Sequence, residues 1–448
     1  MLKREWQKHA NGIFLIGVDC TKVEIREDGE YIFFNLEPDE HDLDHLSSSK
    51  ISLVKNDAKI KLGNIKLSEI HPDLIGLSTI LMCHQFIGKS LYLPLDVSLG
   101  FLEGANSVLS KYKIVSESDP EIIANTPSPR SRPGLAFSGG ADSCAALAVM
   151  PGNTVPIFMH RPMSENSIYD SEAPLKSCEE LKEVGYDVKI IECDLEYLRD
   201  PIGFPSDLAN AIPAILLSQS MGLDSIAFGT VMESAYGIGH EKYIDYEKGS
   251  HWKFYGNLFN LAGIEMCLPV AGISEVGTAM IGNQSPFGEF SQSCIRGKWH
   301  KPCLRCWKCF RKELLAISLE DDKVVNLKDM LKSSEVQIRL SSYPISHENV
   351  IIYSIQNINI KNYPNLRILR NRIDTSIDLT ILRKWYSKSL IFIPKKWKNS
   401  IRSKILYYLE QMTSDEEEVL LNWNMVPFLK LDTTKQAHSK LTSSWQDL

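Results

Sequence analysis

The sequence predicts an α/β protein: a central parallel sheet with helices on both faces, a smaller α/β region before it and a mainly helical region after it. Three observations carry that prediction. Between residues 134 and 320, short β-branched runs alternate with amphipathic helical ones, the pattern of parallel strands joined by crossover helices. A glycine-containing turn, Ser138-Gly139-Gly140-Ala141-Asp142-Ser143, falls between the first strand and the first helix of that segment. Four of the ten cysteines are bunched between Cys294 and Cys309, near its end.

The chain has 448 residues, which sets an expectation of two or three domains. Residues 1–126 hold short apolar runs at Gly12–Val18, Glu30–Phe34 and Lys59–Ile65, then a longer apolar-periodic segment at Leu74–Ile87, and read as a mixed α/β module. The segment Thr126–Gly134 contains three prolines, which lack backbone donors, and reads as a linker. In the central part, strands are predicted at Gly134–Phe137, Thr154–Met159, Asp187–Ile191, Ser225–Phe228 and Leu268–Val270. Helices are predicted at Asp142–Met150, Glu172–Val184 and Leu208–Ser220. Residues 321–448 are mostly helical in pattern.

Bulk charge narrows the partners. A net charge of −7 gives no global attraction to nucleic acid or an anionic membrane. No run reaches the roughly 20 apolar residues a membrane span needs. The Gly12–Val18 run meets Asp19 at once and is too short for a signal peptide, so a cytoplasmic location with reduced thiols is expected. One local exception is the stretch Arg383–Lys404, with Trp385, Tyr386, Trp397 and eight lysines or arginines but no acid. It reads either as an amphipathic helix pair with a solvated basic face or as a surface for RNA or an acidic protein segment.

The Ser138–Ser143 turn has the composition of a phosphate cradle. Two glycines let the backbone approach a ligand closely, and the helix N-terminus turns free N–H groups toward an anion. Ser138 and Ser143 add hydroxyls. Asp142 suits a phosphate only through a divalent cation, which implies Mg²⁺. The Gly-Lys-Ser/Thr ending of a Walker A loop is missing. His160 and Arg161, at the end of the second strand, and Gly229 and Thr230, at the end of the fourth, read either as ligand contacts or as plain loop and turn residues. Cys144 reads as core. Glu233 reads as a solvated loop acid, with orientation of metal or amine as the alternative.

Cys294, Cys303, Cys306 and Cys309 form two overlapping Cys-x-x-Cys units plus a fourth thiol. Four soft ligands suit tetrahedral, structural Zn²⁺ better than an iron–sulfur cluster at this spacing. Lys298, Lys301, Arg305, Lys308, Arg311 and Lys312 are expected to offset the thiolate charge.

The Ser-Gly-Gly-x-Asp-Ser pattern resembles the PP-loop of the adenine nucleotide α-hydrolase-like superfamily. That likeness implies ATP bound through its β- and γ-phosphates by Ser138, Gly139, Gly140, Ala141, Asp142 and Ser143, with the α-phosphorus open to attack. Together with the four-cysteine pattern, residues 134–315 resemble the QueC family of 7-cyano-7-deazaguanine synthases. The implied reaction is adenylation of 7-carboxy-7-deazaguanine followed by amide formation with ammonia. Three loops depart from QueC, at Met159–Pro162, Phe204–Asp207 and Tyr236–His240, so the nucleobase pocket differs. The enlarged layout resembles QueC-like proteins of anti-phage operons, such as QatC and the type IV CBASS member. That likeness implies a protein acceptor from the same operon in place of ammonia, and it admits a homodimer. Arg161, Lys242, Lys298 and Arg305 are the candidate cations for the α-phosphate or carboxylate; Asp142, Ser143, Arg161 and Lys242 form the expected catalytic set. The alternative readings are a PP-loop tRNA-modifying enzyme and a non-catalytic QueC-like scaffold.

Overall fold

A computed structural model describes residues 20–40, 42, 51–165, 167–292, 294–320, 325, 327–359, 361, 363 and 366–444. The strand expected at Gly12–Val18 lies outside them.

The N-terminal sheet begins with a hairpin of β1 (Thr21–Asp28) and β2 (Tyr31–Glu37), in which Asp28 faces Tyr31. Gly29 turns the hairpin at φ +60°, a conformation that costs glycine little. Ile32, Phe34 and Leu36 alternate inward, as period-two strands require. β3 (Asp57–Lys61) adds antiparallel to β2, while β4 (Ser90–Tyr92) and β5 (Lys113–Val115) continue parallel from β1, giving the order β3-β2-β1-β4-β5. The run predicted at Lys59–Ile65 therefore ends early, at Lys61. Helix α1 (Pro72–Cys83) starts on Pro72, and His71 caps it through the Asp73 N–H. Helix α2 (Leu99–Val108) is capped by Ser98.

The central sheet contains β6 (Arg132–Phe137), β7 (Val155–His160), β8 (Lys189–Glu192), β9 (Leu223–Ala227) and β10 (Glu265–Cys267) in the order β10-β9-β6-β7-β8, every pair parallel. The helices between and after them are α3 (Ala141–Val149), α4 (Glu172–Glu183), α5 (Ile212–Met221), α6 (Met232–Tyr236) and α7 (Ser250–Leu261). Alternation along the strands splits the core. Ala136, Ile157, Met159 and Ile226 join the larger cluster, and Leu135, Phe137, Phe158 and Ala227 the other. Burial on both faces explains why these strands read as continuous apolar runs. Two expectations change here. Pro133 belongs to β6, near its first residue, where a missing donor is tolerated. The fifth strand is Glu265–Cys267 and not Leu268–Val270, because the Leu268 N–H donates to Phe392 O instead of to a sheet neighbour.

Beyond the sheet come α8 (Glu275–Gln284), α9 (Trp307–Leu319), α10 (Ser334–Leu340), α11 (Glu348–Asn357), α12 (Arg367–Arg372), α13 (Lys398–Tyr408) and α14 (Asp432–Ser443). α8 and α13 pack on α3, and α9 packs on α11. The basic aromatic stretch turns most of its aromatic and aliphatic side chains inward and leaves Arg383, Lys388, Lys395 and Arg402 exposed. Trp385 and Tyr386 are buried, and Ile393, Ile401 and Ile405 enter the same core as Leu135 and Phe137. Lys396 and Trp397 both bond Asp224, and Lys384 pairs with Glu416. With Trp385 and Tyr386 inside, these two rings offer no stacking platform for bases. Among the described residues no helix is long and apolar enough to cross a membrane.

α7 also holds one pH-sensitive contact with the N-terminal module. The His84 ring lies 4.4 Å from Phe254 and its Nδ1 is 3.2 Å from Tyr112 Oη. Burial, then the charge of Lys111, lowers its pKa from 6.5 to about 4. A histidine held neutral in the fold contributes stability that is complete above pH 6.5 and lost as pH falls toward 4. The full effect is up to about 3 kcal/mol. Thermal melts across that window should show a shallower acid slope for His84→Gln than for the parent; equal slopes would refute the assignment.

Candidate functional site

In a parallel sheet the loops after every strand meet at one edge. Ser138 follows β6, Arg161 follows β7 and Gly229 follows β9, so all three sit at the carboxyl edge. β6 lies between β7 and β9, and its loop opens into the crevice where successive connections leave in opposite directions, the usual ligand position in such sheets.

The turn itself is tightly built. Gly139 has φ +70°, and its carbonyl accepts the Gln292 N–H at 2.6 Å. The Ser143 hydroxyl is buried and donates to Gly140 O at 2.9 Å; Ser138 Oγ lies 3.2 Å from it and accepts the Gly140 N–H at 3.3 Å. Ser138 is exposed while Ser143 shapes the turn from beneath. Gly140 is the N-cap of α3 and, lacking a side chain, makes no side-chain cap. Gly229 packs on this turn: a Cβ there would lie 3.0 Å from Asp142 C and Ser143 N. A side chain at 229 would thus push on backbone, which has little room to yield.

Asp142 connects the turn to a buried ionic cluster. Its Oδ1 accepts Thr278 Oγ1 at 3.0 Å and lies 3.7 Å from Lys312 Nζ. Lys312 is also 3.5 Å from Glu275 Oε2, to which Arg311 Nε donates at 3.0 Å, and His347 Nε2 is 3.6 Å from Glu275 Oε1. Burial raises the Glu275 carboxyl, but Lys312, Arg311 and His347 outweigh it and hold it ionised. Glu233 accepts the Glu275 N–H at 3.1 Å and Asn349 Nδ2 at 2.9 Å; burial, then the Glu275 charge, pushes its carboxyl up toward neutrality. Glu233 is therefore not a solvated loop acid. It is 2% exposed, because α6 tucks it beneath the Asn349 turn of α11. A cleft of about 660 Å³ opens beside this cluster, lined by Ala141, Thr278, Asn283, Gln292, Lys308 and Lys312.

The four cysteine sulfurs lie within 4.8 Å of one another and could hold a metal ion such as zinc. Cys303 Sγ and Cys309 Sγ are 3.8 Å apart. A tetrahedral site with zinc–sulfur bonds of about 2.3 Å has sulfur–sulfur edges of about 3.8 Å, so the spacing fits. The Cys303 N–H points at Cys294 Sγ and the Cys309 N–H at Cys306 Sγ, donors that favour thiolate. The Cys309 side chain and then its N–H help hold Cys306 at about 5. With four protein thiols as ligands, a bound ion would have no open position. The site also holds one wall of the cleft, since Cys306 caps α9 and Cys294 and Cys309 line the cleft. Cys306→Ser should abolish metal retention, read by elemental mass spectrometry, and lower the melting temperature by several degrees. Unchanged metal content would remove cysteine from the ligand set.

The predicted site residues divide. Ser138, Gly139, Gly140, Ala141, Asp142, Ser143 and Gly229 come together, with Thr230 next to Gly229 half-buried at the same edge. His160 is half-buried at that edge, and its Nε2 has no hydrogen-bond partner among the described residues. The candidate cations are engaged or exposed elsewhere. Arg161 forms a buried pair with Glu196 and lies 4.3 Å from the Tyr169 ring. Lys298 pairs with Glu172 at 2.6 Å, Lys242 is exposed on a bridge to Asn424, and Arg305 is exposed. Lys308, Arg311 and Lys312, expected to offset the thiolates, instead reach toward the cleft, Glu275 and Asp142. Their spacing of three and four residues on the helix after Cys306 was the available signal.

Residues 254–424 are similar to a family described as a family of unknown function, DUF6395. That segment includes Glu275, the four cysteines, Lys312, His347 and Asn349, and the Ser138–Ser143 turn lies outside it. No curated protein and no solved structure matches the chain.

Proposed function

We propose that this chain is a PP-loop ATPase related to the QueC family, which adenylates a carboxylate and transfers the acyl group to nitrogen. The carboxylate oxygen attacks the α-phosphorus of ATP and pyrophosphate leaves. The amine then attacks the acyl carbon, AMP leaves, and the amine gives up a proton. The observation that carries the reading is the Ser138–Ser143 turn, set at the carboxyl edge of the parallel sheet against Gly229 and beside the Asp142–Lys312 pair.

In this reading, the glycine turn and the Ser138 hydroxyl hold the outer phosphates, and Ser143 keeps the turn in shape. Asp142 carries Mg²⁺. His160, Gly229 and Thr230 border the adenosine. The four thiolates hold Zn²⁺ as a brace. Family likeness supplies 7-carboxy-7-deazaguanine as the carboxylate, ammonia or a protein partner of an anti-phage operon as the amine, and a cytoplasmic setting. Catalysis of this kind needs placement and charge neutralisation more than proton transfer.

The test is pyrophosphate release from ATP and Mg²⁺ with 7-carboxy-7-deazaguanine, followed by intact-mass analysis of candidate acceptors. Release that depends on the carboxylate is expected. Absence of any magnesium–ATP binding by calorimetry would end the proposal.

A further inference from the structure

We infer that Lys312 is the cation that engages the nucleotide phosphates, and that Glu275 positions it. This rests on the adenylation reading and names a residue for it.

Three observations place Lys312 in that role. First, its ammonium lies 3.7 Å from Asp142 and 3.5 Å from Glu275, and Nζ is buried with no hydrogen-bond partner among the described residues. A buried ammonium of this kind has donors to give. Second, Arg311 also donates to Glu275 at 3.0 Å, so Glu275 keeps a cationic partner when Lys312 turns to a phosphate. Third, Lys312 lines the cleft together with Ala141 of the glycine turn, and Lys308, one turn earlier on α9, lines it too.

Lys312 faces both Asp142 and Glu275, and Arg311 faces Glu275 from the same helix. When a magnesium–nucleotide complex arrives, Asp142 turns its charge to the cation. Lys312 then loses one of its two anionic neighbours and donates to a phosphate oxygen. Glu275 fixes where the lysine stands, because Arg311 donates to its carboxylate and its backbone N–H is held by Glu233.

The full-length protein loaded with zinc tests this. ATP–pyrophosphate exchange, magnesium–ATP affinity, metal content and melting temperature are measured for the parent, Lys312→Met, Lys312→Arg and Glu275→Gln. Lys312→Met should keep its metal and bind magnesium–ATP within about tenfold, yet exchange about 10²-fold more slowly. Lys312→Arg should recover most of that loss. Glu275→Gln should raise KM for ATP more than it lowers kcat. If Lys312→Met does not fold, the pair Glu275→Gln/Lys312→Met removes both charges together and must show the same exchange defect. A parent that exchanges while the folded Lys312→Met or double variant does so equally fast overturns the assignment of Lys312 and leaves adenylation standing. A parent that binds no magnesium–ATP overturns both.

Discussion

Exchanging Asp142 for asparagine is expected to slow magnesium-dependent pyrophosphate release by about 10³-fold with little change in fold, since the loss of one preorganised charge group at a reacting phosphate is of that order. The side chain keeps its size, and its Oδ1 can still accept Thr278 Oγ1 at 3.0 Å. What disappears is the negative charge that faces Lys312 at 3.7 Å and that a divalent cation requires. Lys312 keeps Glu275 at 3.5 Å as a partner, so the neutral side chain does not strand a buried charge. The measurement is pyrophosphate release against magnesium concentration, with the melting temperature as control. A variant that turns over at the parental rate would show that the glycine turn does not hold a metal-bound phosphate.

A large effect on stability is expected far from the turn, at Arg372. Its side chain is fully buried, Nη1 donates to Glu348 at 2.8 Å, and Nε donates to His438 Nδ1 at 3.0 Å. Tyr343 closes one side, with the guanidinium carbon 5.0 Å from its ring centre. Arg372 thereby ties α12 to α11 and α14, and His438 passes the connection on to Ser341 O at 3.1 Å. Replacing Arg372 with methionine leaves the Glu348 carboxylate, 3% exposed, without its partner. Breaking a buried pair from one side costs about 3–5 kcal/mol, far more than a surface pair contributes. Glu348→Gln/Arg372→Met should cost less than the arginine change alone, because no buried charge is left over. Denaturant unfolding of the parent and the two variants measures this, and a double variant weaker than the single would contradict the account.

Much of the central domain is readable from residue order alone. The strands at β6, β7, β8 and β9 and the helices α3, α4 and α5 follow from local periodicity, with shifts of up to four residues at their ends. The turn at Ser138–Ser143 and the four cysteines are compact in sequence, so their shape is set by nearby residues. The fifth strand shows where that stops. Leu268–Val270 is as apolar as Glu265–Cys267, but Pro269 lacks a donor and the Leu268 N–H is taken by Phe392, more than a hundred residues away. The Arg383–Lys404 stretch shows the same limit: basic composition suggests a surface, whereas packing against Leu135 and Phe137 buries Trp385. The ionic cluster is the largest gap. Glu233, Glu275, Lys312 and Asn349 come from four separate helices, and nothing in their spacing announces that they meet.

By itself the sequence determined the α/β alternation, the glycine turn and the thiol quartet, because each is encoded by neighbours a few residues apart. Only the tertiary structure decided which cation stands beside Asp142, that Glu233 is buried, and that the basic stretch closes the core. Those outcomes depend on which helix faces come together, and a buried charge acquires its partner only when distant segments pack.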